Sequence, residues 1–186
     1  FGRLGEWFAS ESIYGMTPDI LVGAKGITSG YIPLGITMLS DEIYDVIPKP
    51  QSDGGVFSMG LTYFGHPVAC RAALKNIEIM EQEDILGHVR RVTPHFQARM
   101  QQIKDRFDIV GEVRGMGLML GVELVRDRTS KEPAKTEAAD VMERLKELGV
   151  LIGKGGLYGN TLRIKPPMCL TKDDADYLVD CLDTAL

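Results

Sequence analysis

The sequence predicts an α/β fold followed by a smaller α+β unit, on three observations. Short apolar runs alternate with segments whose apolar residues recur at three-to-four spacing, the pattern of buried strands between amphipathic helices. The 21 glycines exceed average usage for 186 residues and cluster at the ends of the apolar runs, where tight connections need them. Beyond Asp108 the texture changes to two β-like runs joined at Gly115-Met116-Gly117, which places a domain boundary before them.

Residues 18–24 (PDILVGA) form an apolar run opened by proline and closed by glycine, as a strand buried on both faces should be, with Lys25 at its C-terminal end. A second run, 36–39, precedes Ser40-Asp41-Glu42, an N-cap signal for a short helix through Val46. Pro48 and Pro50 should stop that helix, with a polar glycine loop running to about Gly55. A helix over 67–83 carries Ala69, Ala73, Asn76 or Ile77, and Met80 on one face, with Pro67 in its first turn. A further helix over 85–107 places Val89, Val92, Phe96, Met100, Ile103 and Phe107 on one stripe. Pro94 should kink or split it, and Thr93 could cap the second piece.

Segments 109–115 and 118–125 read as strands, followed by a charged turn region over 126–135. A helix over 138–148 ends at Gly149 as its C′ residue, VLIG (150–153) reads as a strand, and TLRI before Pro166-Pro167 as another. Thr171 with Asp174 three residues on is a capping box. It opens a last helix with Ala175, Leu178, Val179, Leu182 and Leu186 on its apolar face. The expected organisation is residues 1–84, a connecting helix 85–107, and a small α+β domain over 108–186.

With 44% hydrophobic and 25% charged residues the composition is that of a soluble globular protein, and no apolar run approaches the roughly 18 to 20 residues of a membrane helix. The net charge is -5, with 21 Lys and Arg scattered among 26 Asp and Glu, which argues against nucleic acid as a partner. Cys70, Cys169 and Cys181 are odd in number and form no C-x-x-C, fitting a reducing intracellular compartment. The chain opens on Phe1-Gly2-Arg3 without a targeting leader and reads as the continuation of a preceding segment.

Two glycine clusters fail as nucleotide loops. RGMGLMLG is one residue too long for the dinucleotide fingerprint and leads into a strand, and GVLIGKGG has the wrong spacing for a P-loop and no following Ser or Thr. His66, His88 and His95 offer no ligand spacing, so no metal is expected, and no G-x-S-x-G elbow is present. Lys25 stands apart. It lies at the C-terminal end of a strand, where α/β sheets bind ligands. Gly23, Ala24 and Gly26 around it leave room for a planar group, and a desolvated, neutral amine there suits Schiff-base chemistry.

PDILVGAKGITSGYIPLG resembles the Schiff-base lysine segment of the class III, or ω-type, pyridoxal-phosphate aminotransferases of fold type I, with Lys25 in the lysine position. FGRLGEWF is similar to the segment after that family's acidic element, and MGLTYFGHPVACRAAL to its phosphate-contacting turn and next helix. VRGMGLMLGVEL and LRIKPPMCLTKDDADYLV resemble its small C-terminal domain, so the likeness runs in order along the whole chain.

The resemblance implies the C-terminal part of a fold type I large domain followed by the small domain, with pyridoxal 5'-phosphate as cofactor. It implies that Lys25 carries the cofactor, that Thr62 hydrogen-bonds its phosphate across a homodimer interface, and that Arg163 binds a substrate carboxylate. The implied reaction is amino transfer from an amino acid or ω-amine to a keto acid such as pyruvate or glyoxylate. The family's Asp for the pyridine nitrogen, its stacking aromatic residue and its phosphate loop would all precede Phe1. Asp19, in an ordinary strand-start position, does not replace that Asp, and the 186 residues alone are expected to bind cofactor weakly and to be inactive. Two alternatives stand beside this one: a lyase acting on phosphorylated amines, and a non-catalytic dimerisation or regulatory fragment.

Overall fold

A computed structural model describes residues 1–47 and 59–186, which form two compact units. The first holds Phe1–Gly2 and Glu6–Asp84, the second Arg3–Gly5 and Ile85–Leu186. The expected helix stop at Pro48 and Pro50 and the glycine loop to Gly55 lie outside the described residues.

The first unit contains α1 (Ala9–Ser12), β1 (Ile20–Ala24), a 3-10 turn (Lys25–Thr28), β2 (Gly35–Leu39), α2 (Asp41–Tyr44) and α3 (Pro67–Gln82). Strands β1 and β2 pair antiparallel from Ile20↔Leu39 to Ala24↔Gly35. The expectation of a strand buried on both faces is corrected: Ile20 is 54% and Val22 74% exposed. Among the described residues β2 is the only strand paired with β1, and no layer covers both faces, so the apolar run marks a strand without fixing its burial. Ser40 takes the N-cap position of α2 with extended backbone, but its side chain makes no cap bond and its hydroxyl is buried without a partner among the described residues. In α3, Pro67 occupies the first turn, where a missing N–H costs nothing, and Ala69, Ala73 and Met80 point inward.

The second unit contains α4 (Ile85–Arg106), β3 (Val110–Met116), β4 (Met119–Leu124), α5 (Lys135–Glu147), β5 (Gly153–Gly155), β6 (Thr161–Ile164) and α6 (Lys172–Ala185). Its sheet is antiparallel throughout in the order β3-β4-β6-β5. Alternation gives it one apolar face, with Leu120, Val122, Leu124, Leu162 and Ile164 at most 5% exposed, in one core with residues of α4, α5 and α6. Each fully buried Leu, Ile or Phe there contributes roughly 1.5–3 kcal/mol.

Of the kink or split expected at Pro94, the split does not occur, and α4 runs unbroken through the proline. Thr93 does not cap a second piece, since its hydroxyl donates back to the Val89 carbonyl at 2.7 Å. The stripe Val89, Val92, Phe96, Met100 and Ile103 is at most 2% exposed on both sides of the proline, and that continuous burial outweighs the roughly 3 kcal/mol a helical proline costs. The strand expected over 150–153 begins instead at Gly153. Its first residues complete the end of α5: the Gly149 amide donates to Lys146 and the Val150 amide to Leu145, with Gly149 at φ 82.

The capping box forms as read, the Thr171 hydroxyl accepting from the Asp174 amide at 3.1 Å and the Asp174 carboxylate accepting from the Thr171 amide at 2.9 Å. That carboxylate is held below its usual range, chiefly by the Thr171 side chain. His95 meets Asp176 at 2.9 Å and Arg99 meets the same carboxylate at 2.7 Å, tying α4 to α6. Among the described residues no helix is long and apolar enough to cross a membrane.

Candidate active site

Lys25 begins the 3-10 turn directly after β1, in a left-handed conformation at φ 58, and Ser29 closes the turn at φ 49. Both are L-residues with side chains, so each position costs on the order of 1–3 kcal/mol and persists only where its surroundings enforce it. The surroundings here are specific. Ile27 and Thr28 are 4% and 2% exposed, and the Thr28 hydroxyl donates to the Ile32 carbonyl at 2.6 Å. From α3 the Asn76 side-chain amide donates to the carbonyls of Gly26 and Ile27 at 3.0 and 3.1 Å, and its oxygen accepts from the Ser29 hydroxyl at 2.6 Å.

The Lys25 side chain is exposed, and among the described residues its amine has no ion-pair or hydrogen-bond partner. The small residues around it do less than expected. A side chain at Gly23 would meet Ile36 at 3.1 Å, and one at Gly26 would meet Phe1 at 3.4 Å. Those openings are taken by the chain's own apolar neighbours, whereas Ala24 and Lys25 are exposed. An unpartnered primary amine on a rigid turn fits an aldehyde cofactor held by a carbon–nitrogen bond.

Thr62 lies exposed in the turn before α3, and its hydroxyl has no partner among the described residues. It does not cap α3, whose N-cap is His66. A free hydroxyl in an exposed turn suits a phosphate oxygen. No hydrogen bond joins Thr62 to Lys25. A cavity of about 650 Å³ in the same unit is lined by residues including Trp7, Leu21, Met38 and Ser40, and by neither Lys25 nor Thr62.

Arg163 belongs to the second unit, on the exposed face of its sheet. Register sets it in a row Arg114–Gly121–Arg163–Gly153 across β3, β4, β6 and β5. The two arginines differ. Arg114 pairs with Glu112 at 2.7 Å and with Glu123, which together hold its guanidinium further up in pKa, the Glu123 bond first. Arg163 has no ion-pair partner among the described residues. Its stem crosses diagonally over β5, where a side chain at Gly155 would come within 2.9 Å of its Cδ, whereas one at Gly153 would meet nothing within 4 Å. The nearby carboxylates of Glu112 and Glu123 are thus spent on Arg114 and not on Arg163.

Asn76 was one of two residues the helical spacing offered for the same inward position of α3. The available signal was a polar amide in a stripe of Ala69, Ala73 and Met80, but spacing alone could not show what it binds.

The family described as Aminotransferase class-III matches this chain over residues 1–186. A protein of Arabidopsis thaliana named alanine–glyoxylate aminotransferase 2 homolog 2, mitochondrial, is 41% identical over 186 residues, covering 100% of this chain and 37% of the relative. A leucine/methionine racemase of Thermococcus litoralis is 38% identical over 185 residues, 100% of this chain and 39% of the relative. A crystal structure of a Bacillus anthracis aminotransferase superposes with a TM-score of 0.92 at 35% identity, covering 100% of this chain and 42% of that one. The chain therefore spans about two fifths of the length of the proteins it matches, and over that part it has their fold.

Proposed function

The chain belongs to the aminotransferase class-III family, and from that premise we propose that it supplies the lysine-bearing part of a pyridoxal-phosphate site that moves an amino group from an amino acid or ω-amine to a keto acid such as glyoxylate or pyruvate. The observation that carries this reading is Lys25: an amine without a partner among the described residues, on a hydrogen-bonded, left-handed turn at the end of β1, within a match that covers every residue. In this proposal residues 1–84 belong to the large cofactor-binding domain and 108–186 to the small domain, reached through α4.

When bound, pyridoxal phosphate supplies an electron sink conjugated to the reacting amine. Lys25 would hold the cofactor through Nζ and, when that atom is free, would carry a proton on it. Thr62 donates its hydroxyl to the phosphate of the site in a second copy of the chain, which makes the working assembly a homodimer. Arg163 receives a substrate carboxylate with two parallel N–H donors. Cys70, Cys169 and Cys181 are all free, which fits a reducing compartment.

The full-length protein, loaded with pyridoxal phosphate and given alanine or a terminal diamine, is expected to turn over only when pyruvate or glyoxylate is present, with one amino acid formed per donor consumed. Ammonia release without a keto acid would establish the lyase instead, and loss of optical activity of a single amino acid without a keto acid would establish a racemase. Absence of a cofactor absorbance band in the full-length chain would sink the enzyme reading altogether.

Arg163→Gln should raise KM for carboxylate-bearing donors by about 10- to 100-fold, the value of a charge-assisted pair, and leave KM for a donor lacking a carboxylate unchanged. Equal effects on both donors would remove Arg163 from the substrate site.

A further inference from the structure

We propose that Asn76 is the positioning residue for Lys25, its side-chain amide fixing the turn that aims the lysine amine. This rests on the reading of Lys25 as the cofactor lysine. It adds a residue on a different element, about fifty positions further along the chain, where no chemistry is otherwise assigned.

Helix α3 turns Ala69, Ala73 and Met80 inward, and Asn76 falls in the same stripe. An amide among apolar neighbours is costly unless its donors and acceptor are satisfied. Asn76 is satisfied largely by the lysine turn: Nδ2 donates to the carbonyls of Gly26 and Ile27, and Oδ1 accepts from Ser29. Beyond Asn76 the turn has the Thr28 hydroxyl on the Ile32 carbonyl and the burial of Ile27 and Thr28, neither of which holds the carbonyls of Gly26 and Ile27. Its own backbone adds the Ser29 amide on Gly26 and the Tyr31 amide on Thr28, at 3.2 and 3.1 Å, while Lys25 and Ser29 sit at φ 58 and φ 49 at its two ends.

Two adjacent carbonyls held by one planar amide cannot rotate independently, so the backbone of residues 25–29 is pinned against its tendency to relax to negative φ. Asparagine fits this task by chemistry. Aspartate would face both carbonyls with an acceptor, and leucine of similar size would leave both without their donor.

The test uses the full-length protein with Asn76→Leu, Asn76→Asp and the control Ser29→Ala, which leaves both carbonyl bonds in place. In cofactor-free protein, amide exchange over residues 26–29 should quicken at least about tenfold in Asn76→Leu, while exchange in β3 and β4 stays unchanged. In loaded enzyme, kcat should fall roughly 10²-fold, the cost of displacing a reacting group by about 1 Å, with KM for the donor altered by no more than about threefold.

Asn76→Asp should show the same fast exchange at neutral pH and recover part of the protection as the pH falls and its carboxyl regains a proton to donate, a reversal Asn76→Leu lacks. Ser29→Ala should stay near the unsubstituted protein in both readouts. Borohydride reduction of the loaded protein separates the two ideas. If the label maps elsewhere than Lys25, the reading of the lysine fails. If it maps to Lys25 while exchange and kcat in Asn76→Asp match the unsubstituted protein, the role of Asn76 is overturned, and that near-isosteric variant decides even if Asn76→Leu does not fold.

Discussion

On the proposed reading, Lys25→Ala in the full-length protein is expected to lower kcat by at least about 10³-fold, because one substitution would remove both the covalent hold on the cofactor and the proton carrier; a positioned acid–base group alone is worth about 10²–10⁴. The loss should be purely chemical. The lysine side chain is exposed and unpartnered among the described residues, and alanine keeps the same Cβ at φ 58, so the folding stability should change by no more than a surface substitution does, about 0.5 kcal/mol. Lys25→Gly separates the roles further. Glycine accepts the left-handed conformation without cost, so this variant should melt no lower than Lys25→Ala while being equally inactive. Stopped-flow turnover, borohydride labelling and a thermal melt on the three proteins read these effects. Residual labelling of Lys25→Ala at the original stoichiometry would move the cofactor lysine to another position.

Much of this was legible in the sequence wherever a signal is local. The three-to-four stripes of α3, α4 and α6, the Thr171–Asp174 capping box and the proline stop after β6 depend on residues a turn or two apart, and the structure realises them. What stayed hidden depends on partners far along the chain. Pro94 argues locally for a break, but the buried residues on either side of it outweigh that argument. VLIG has strand propensity, but Val150 is already committed to closing α5 through Leu145. Position and small neighbours singled out Lys25, and the resemblance gave it a role. The means of holding it, one amide on α3 reaching two carbonyls, is a tertiary fact. Arg163 likewise reads as an ordinary strand arginine until the register sets it between Gly121 and Gly153 and gives both nearby glutamates to Arg114.

The largest structural effect is expected from Gly115→Ala, in the glycine cluster that failed as a nucleotide loop. Gly115 sits near the end of β3 at φ 148, paired with Leu120, and a Cβ there would stand 2.1 Å from the Met119 carbonyl oxygen and 2.8 Å from the Leu120 Cα. Both obstacles are backbone, so no side chain can swing aside. Either the hairpin opens or β4 shifts, and a shift of β4 carries Leu120, Val122 and Leu124, all at most 5% exposed, out of their places in the core. The cost should reach about 3 kcal/mol or more, in the range of strained-backbone and core-disrupting substitutions. At roughly 4–8 °C per kcal/mol for a unit of about a hundred residues, the melting midpoint should drop by about 12–24 °C. Gly153→Ala is the control, since its Cβ would meet nothing within 4 Å and its midpoint should hold. Because Gly121 on β4 pairs with Arg163, proposed above to take the substrate carboxylate, Gly115→Ala should also raise KM for carboxylate donors in whatever fraction remains folded. An unchanged midpoint for Gly115→Ala would mean that β4 can move aside at no cost, and the register that isolates Arg163 would then not be fixed by this turn.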